Sequence, residues 1–250
     1  MNSQIIPAKS LFELHEIPLR KGKPDFANLE AVRLPGEFSG NKGIYGVFYN
    51  DVLIYTGISF NLNPNPQIDP IIERWQMHLT YFALRSPHVC FSPRNMHRIL
   101  NYLEADFVNA YRNILGKQQP SLADLKKLEA EKHPLLNGRS SSFKKARFAA
   151  NNWPALQKND YIESFSFTYK ALPLPTNDSS NSPPEKDNKQ MRYELLIRES
   201  QLVDMFQPIC NDETVIEKPG VDQETFLAAC EEVMKPVSEW NFPLPNAAAS

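Results

Sequence analysis

The sequence predicts an α+β fold: a small three-stranded, mostly antiparallel sheet flanked by helices, with a long helical insertion. Three observations predict it. Residues 43–57, GIYGVFYNDVLIYTG, are two apolar runs on either side of Asn50-Asp51, which reads as a β-hairpin. Residues 161–172, YIESFSFTYKAL, set Tyr161, Phe165, Phe167 and Tyr169 against Ile162, Ser164, Ser166 and Thr168, the period-two alternation of a strand. Between and after these segments, apolar residues recur at helical spacing.

The elements follow in order. Residues 1–40 are mixed and proline-punctuated, and are read as an arm packing on the core. A core of residues 41–211 begins with the hairpin and a polar loop, SFNLNPNPQ. Asp69-Pro70 then starts a helix, because Asp caps well and Pro suits the first helical position. Ile71, Trp75, Leu79 and Phe82 line one stripe of it. Residues 86–160 are a helical insertion: one helix over 94–115, one over 121–133 begun by a Ser cap, and a basic run, RSSSFKKARFAANNW. After the third strand, residues 176–190 have the composition of a flexible linker. A helix over 191–206 stops before Pro208. Residues 212–250 hold a last helix near 222–234 and a loose Pro/Ala-rich tail.

Composition narrows the function classes. No run of about 18 apolar residues exists, so no membrane span is expected. The N-terminal stretch lacks an apolar h-region, so no secretory signal is expected, and Cys90, Cys210 and Cys230 form no zinc-like spacing. A cytoplasmic location follows as the expectation. Net charge is −2, against a nonspecific nucleic-acid binder, but it is unevenly spread. Between Leu79 and Asp160 stand thirteen Lys/Arg against six Asp/Glu, a net of +7. A segregated basic segment suits phosphate binding; a solvated helical face would look the same.

Several residues invite chemistry. Tyr45 and Tyr55 flank the hairpin beside glycines. A two-residue turn at Asn50-Asp51 pairs Tyr49 with Val52, which points Tyr45 and Tyr55 to opposite faces. A longer turn through Val52, or a bulge, puts them on one face, and one of these is required if they act together. Arg74 and His78 lie four apart, bordering the apolar stripe of their helix. Glu199 falls within the stripe Leu195, Leu196, Leu202, Val203 and Phe206, while Glu194, Arg198 and Gln201 are read as the wet face. A carboxylate there costs several kcal/mol unless it is paired or binds a metal, so Glu199 is either a site residue or a rim Glu paired with an Arg.

These residues resemble a known family in order and spacing. Gly43-Ile44-Tyr45 followed by Tyr55-Thr56-Gly57, then Arg74 and His78 in RWQMH, then Glu199 and Asn211 in ESQLVDMFQPICN, is similar to the GIY-YIG nuclease superfamily, and most like its type II restriction endonucleases. Thr56 stands where the family usually has Ile, and residues 86–160 match nothing in it. Glu104 is a rival metal ligand, but no Pro-x-x-Asn follows it at suitable spacing.

The resemblance implies hydrolysis of a phosphodiester in double-stranded DNA with one divalent cation, Mg2+ or Mn2+. Glu199 would ligate the metal. Tyr45 would accept a proton from the attacking water and His78 would take the Tyr45 proton. Since a free phenol has a pKa near 10, the site must lower the cost of ionising it. Arg74 would stabilise charge on the phosphoryl oxygens, Tyr55 would bond the phosphate or the water, and Asn211 would hold the site together. The glycines would keep the face beside the tyrosines open. Arg94, Arg98, Arg139, Lys144, Lys145 and Arg147, with His97, Phe143 and Phe148, would grip the DNA. A restriction-type enzyme cutting both strands would act as a homodimer. A nicking nuclease and a non-catalytic nucleic-acid-binding module are the alternatives.

Overall fold

The structure is a computed structural model and describes residues 4–16, 27–31, 42–60, 70–84, 90–103, 105–136, 142–172, 184–211, 220–236 and 239. The fold is α+β. Its strands are β1 (Gln4–Pro7), β2 (Phe12–Glu16), β3 (Ala27–Ala31), β4 (Gly43–Tyr49), β5 (Val52–Ser59) and, after six helices, β6 (Phe165–Ala171). The helices are α1 (Pro70–Phe82), α2 (Pro93–Tyr102), α3 (Ala105–Leu115), α4 (Leu122–Ala130), α5 (Phe143–Asn151), α6 (Trp153–Leu156), α7 (Pro184–Phe206) and α8 (Gln223–Met234).

The expected sheet of three strands has a fourth. The order is β1-β6-β4-β5, antiparallel throughout, and β1 comes from the arm of residues 1–40. The arm also forms a second, two-stranded sheet, β2-β3. It is part of the fold because Ile6, Leu11 and Phe12 are buried in the main core.

The sheet separates two apolar cores. On one face Tyr45, Val47, Tyr49, Phe165, Phe167 and Tyr169 meet Trp75 and Leu79 of α1 and the buried side chains of α2, α3 and α5. On the other, Ile44, Phe48 and Leu53 meet Leu195 and Leu202 of α7 and Phe226, Cys230 and Val233 of α8. Ser166 and Thr168, which alternate with the apolar residues of β6, are therefore buried rather than wet. Ser166 accepts from Gln223 Nε2 at 2.8 Å, and Thr168 Oγ1 accepts from the Gly46 N–H at 3.2 Å, so their polar atoms remain satisfied.

Three further expectations change. The helix read over 94–115 is two, α2 and α3, because the backbone is extended at Leu103. The break lets both apolar stripes turn to the same core, and it leaves Tyr102 75% exposed. The linker read over 176–190 is helical from Pro184 onward; residues 173–183 lie outside the described residues. So do Asp69, Glu104, Arg139 and residues 241–250. Among the described residues no helix is long and apolar enough to cross a membrane.

Candidate active site

The hairpin places the tyrosines. Its turn is the two-residue one, with Asn50 at φ 48° and Asp51 at φ 63°, the positive pair that type I′ geometry requires. Gln223 Nε2 donates to Asp51 Oδ1 at 2.9 Å and ties the turn to α8. Continued regularly, this register would set Tyr55 opposite Gly46 and aim it away from Tyr45. Instead the pairing shifts: Phe48 pairs with Leu53, and Val47 pairs with Tyr55. Ile54 is the extra residue of a bulge, and Tyr45 and Tyr55 share one face with ring centroids 6.2 Å apart. Of the two devices expected from sequence, the bulge is the one used.

The glycines have a different role from the one expected. A Cβ at Gly57 would sit 2.6 Å from the Tyr45 hydroxyl, and one at Gly43 would sit 2.2 Å from the Lys170 carbonyl oxygen. The space is filled by the phenol of Tyr45 and by the neighbouring strand.

Helix α1 brings the next groups. Trp75 stacks on Phe167 and Leu79 is buried, which turns His78 toward the tyrosines. His78 is 4% exposed, lies flat against Phe82, and has Nε2 2.7 Å from the Tyr45 hydroxyl. Burial, then Lys145 and Arg74, hold His78 well below its ordinary pKa, so the ring is a neutral imidazole. Burial, then the neighbouring Tyr55, hold Tyr45 well above the ordinary phenol range, against the opposing pull of Arg74. Tyr55 is pushed up to about 12, first by burial and next by Glu199. Tyr45 is thus a neutral phenol in hydrogen-bond contact with a neutral imidazole. A site that eases ionisation of Tyr45 was expected from the resemblance; the protein alone opposes it.

Helix α7 carries Glu199, but the buried face of this helix is not the one expected. Arg198 (5% exposed) and Gln201 are buried beside Leu195 and Leu202, and Leu196 is 42% exposed. Amphipathic reasoning assumes one core-facing stripe; α7 lies between β5 and α8 and is covered on more than one side. Arg198 Nη1 is accommodated by the Glu194 backbone oxygen at 3.2 Å and its carboxylate at 3.5 Å. Glu199 is half-buried. Burial pushes its carboxyl up to about 7, with Arg74 acting in the opposite direction. Glu199 and Arg74 each act electrostatically on both phenols, so residues from β4, β5, α1 and α7 converge.

Asn211 holds the end of α7 to the sheet. Its Oδ1 accepts from the Thr56 N–H and its Nδ2 donates to the Thr56 carbonyl, both at 3.0 Å. The Cys210 N–H donates to the Ile54 carbonyl at 2.8 Å. Residues 210–211 therefore act as a short partner for the free edge of β5, at the bulge.

The basic insertion divides. Lys144 is buried, and Phe148 packs on Tyr49 and Phe82, so neither lies on an outer grip. Burial pushes the Cys210 thiol up to about 12, against the opposing pull of Lys145, then Lys144 and Arg147. Lys145 reaches the tyrosine site, with its ammonium 5.4 Å from the Tyr55 ring centroid and 5.5 Å from that of Phe82. The sequence offers no sign of this, since Lys144, Lys145 and Arg147 read alike as one basic run. Arg94, His97, Arg98, Tyr102, Leu122 and Phe143 instead line an open groove of about 620 Å³, where the Arg98 guanidinium lies 4.1 Å from the Phe143 ring centroid.

A divalent cation at this site would have few protein ligands. Among the described residues no three His, Cys, Asp or Glu side chains gather, so one carboxylate, Glu199, would hold the ion. Mg2+ is commonly held by one or two carboxylates together with phosphate and water. A half-buried carboxyl pushed up to about 7 has an unmet need for positive charge. No family model, no characterised protein and no solved structure matches this chain.

Proposed function

We propose that the protein is a metal-dependent DNA endonuclease of the GIY-YIG kind, hydrolysing phosphodiester bonds in double-stranded DNA with the site selectivity of a restriction enzyme. One observation carries the reading. A buried phenol, Tyr45, shares a hydrogen bond of 2.7 Å with Nε2 of a neutral imidazole, His78, and Arg74, Tyr55 and Glu199 are drawn to the same place from remote parts of the chain. Water hydrolysis of a diester needs a proton acceptor, a fixed cation for the phosphoryl oxygens and charge stabilisation at the leaving oxygen.

Tyr45 takes the proton of the attacking water as its own proton passes to His78 Nε2. Burial and the neighbouring cations make the imidazolium costly, and the negative charge of the phosphate in the site offsets that cost. Arg74 stabilises the charge that grows on the non-bridging oxygens, and its planar fork suits two of them. Tyr55 orients the water or the phosphate. A divalent cation at Glu199, when bound, supplies Lewis-acid polarisation of the phosphate and charge stabilisation at the departing 3′ oxygen. The groove of Arg94, His97, Arg98 and Tyr102 offers cations and an aromatic ring to flanking DNA. Cutting both strands calls for a homodimer, and a cytoplasmic setting completes the reading.

Supercoiled plasmid incubated with Mg2+ tests it. Wild type yields discrete linear fragments, while Glu199→Ala and Tyr45→Phe lose about a hundredfold or more in rate. Nicked circles without linear product would identify a nicking enzyme. DNA binding without cleavage, or equal cutting by both variants, would remove the catalytic assignment.

A further inference from the structure

Helix α5 belongs to the segment that has no counterpart in the resemblance, yet it packs on α1 and delivers a cation to the tyrosine site. The Lys145 ammonium lies between two rings, Tyr55 and Phe82. The same two rings wall His78, at 4.7 Å and 5.2 Å between centroids. Its stem is half-buried and its charge acts on His78. Among the described residues no carboxylate forms an ion pair with it. Burial lowers its pKa, the Cys210 thiol opposes that, and Arg74, another cation, adds to it.

Arg74 and Lys145 thus both act on a site whose phenols and imidazole are neutral. An ammonium taken partly out of water costs free energy, and aromatic faces offset part of that. The remainder calls for an anion that is absent among the described residues. The geometry points to Lys145 as a second phosphate-binding cation of the site, contacting the scissile phosphodiester itself rather than a flanking stretch of DNA backbone. This inference rests on the nuclease reading. It assigns the insertion a place in the reaction centre: Arg74 reaches the phosphate from α1, and Lys145 reaches it from α5. A compact ammonium acts here as a point charge, complementing the planar fork of Arg74.

The test uses the full chain and a duplex that the wild type cuts. Lys145→Met keeps the apolar stem over both rings and deletes the charge. It is expected to melt within a few degrees of wild type and to cut at about one hundredth of the single-turnover rate. Lys145→Arg is expected to recover to within about tenfold of wild type. Binding in EDTA gives a readout independent of cleavage. On the normal duplex Lys145→Met binds about fivefold more weakly than wild type, and on a duplex with a neutral methylphosphonate at the scissile position the two bind equally. A fivefold loss that persists on the methylphosphonate duplex puts Lys145 on another phosphate and overturns the inference. Wild-type cutting by Lys145→Met overturns it while leaving the nuclease reading intact. A wild type that cuts no duplex sinks both. If Lys145→Met melts early, Lys145→Gln takes its place in both assays, with the same outcomes.

Discussion

A methyl group at position 57 would lie 2.6 Å from the Tyr45 hydroxyl and 2.8 Å from its ring carbon Cζ. The phenol is rigid and enclosed, so it must leave His78 to make room. Gly57→Ala is expected to cost about 1–3 kcal/mol of stability, the usual range for overpacking. It is expected to cut cleavage by about a hundredfold, read as a single-turnover rate beside a thermal melt. Unimpaired cleavage would show that the Tyr45–His78 contact is dispensable. Glu199 makes the second residue-scale prediction. Its folded carboxyl titrates at about 7 against an ordinary value of 4.5, so between those values the folded chain keeps a proton that the unfolded chain has lost. Stability from this group is fully present below pH 4.5 and is lost as pH rises through about 7. In EDTA, Glu199→Gln is expected to match wild type at pH 4 and to exceed it by up to about 3 kcal/mol at pH 8. A gap that does not change with pH would place the carboxylate in water.

At the scale of elements, the bulge and the end of α7 form one device. The bulge turns Tyr55 to the face of Tyr45, and residues 210–211 pair with the chain at Ile54 and Thr56, on both sides of it. Removing the Asn211 side chain leaves the Thr56 N–H and carbonyl without their partner. Asn211→Ala is expected to cost about 1–3 kcal/mol and to speed hydrogen exchange at the Thr56 amide. Cleavage is expected to fall further than stability alone explains, because α7 carries Glu199 and loses its anchor on the sheet. Unchanged protection at Thr56 would show that the edge is held by other contacts. Register parity alone shows that a two-residue turn must be joined to a bulge if the tyrosines are to act together. The position of that bulge is not legible in the sequence, since any of several residues between the turn and Tyr55 could be the extra one.

For the whole molecule, the arm decides stability. Strand β1 covers the edge of β6, and Ile6, Leu11 and Phe12 fill the core on the side of α1. Removing residues 1–16 uncovers these contacts, at about 1.5–3 kcal/mol for each large apolar side chain. The truncated chain is expected to lose more than about 5 kcal/mol and its cooperative melt, checked by calorimetry. A melt like that of the full chain would return this segment to the status of a dispensable arm. The charge distribution also looks different in three dimensions. The basic segment read as one DNA grip separates into an open groove at α2 and a buried group on α5, because α5 is turned inward by Phe148, Ala149 and Ala150.

The sequence by itself determined the local elements. The hairpin with its turn and the stripe of α1 follow from turn chemistry and periodicity, which are local properties; the strand read over 161–172 begins at Phe165, after a 3-10 turn at Tyr161–Ser164, and the set Tyr45, Tyr55, Arg74, His78, Glu199 and Asn211 is what the family resemblance proposes. The tertiary structure alone decided which faces are wet. Arg198 and Gln201 are buried, Leu196 is exposed, Lys145 enters the site, and β1 completes the sheet. Burial depends on what packs against an element from elsewhere in the chain, and one-dimensional periodicity carries no record of the partner.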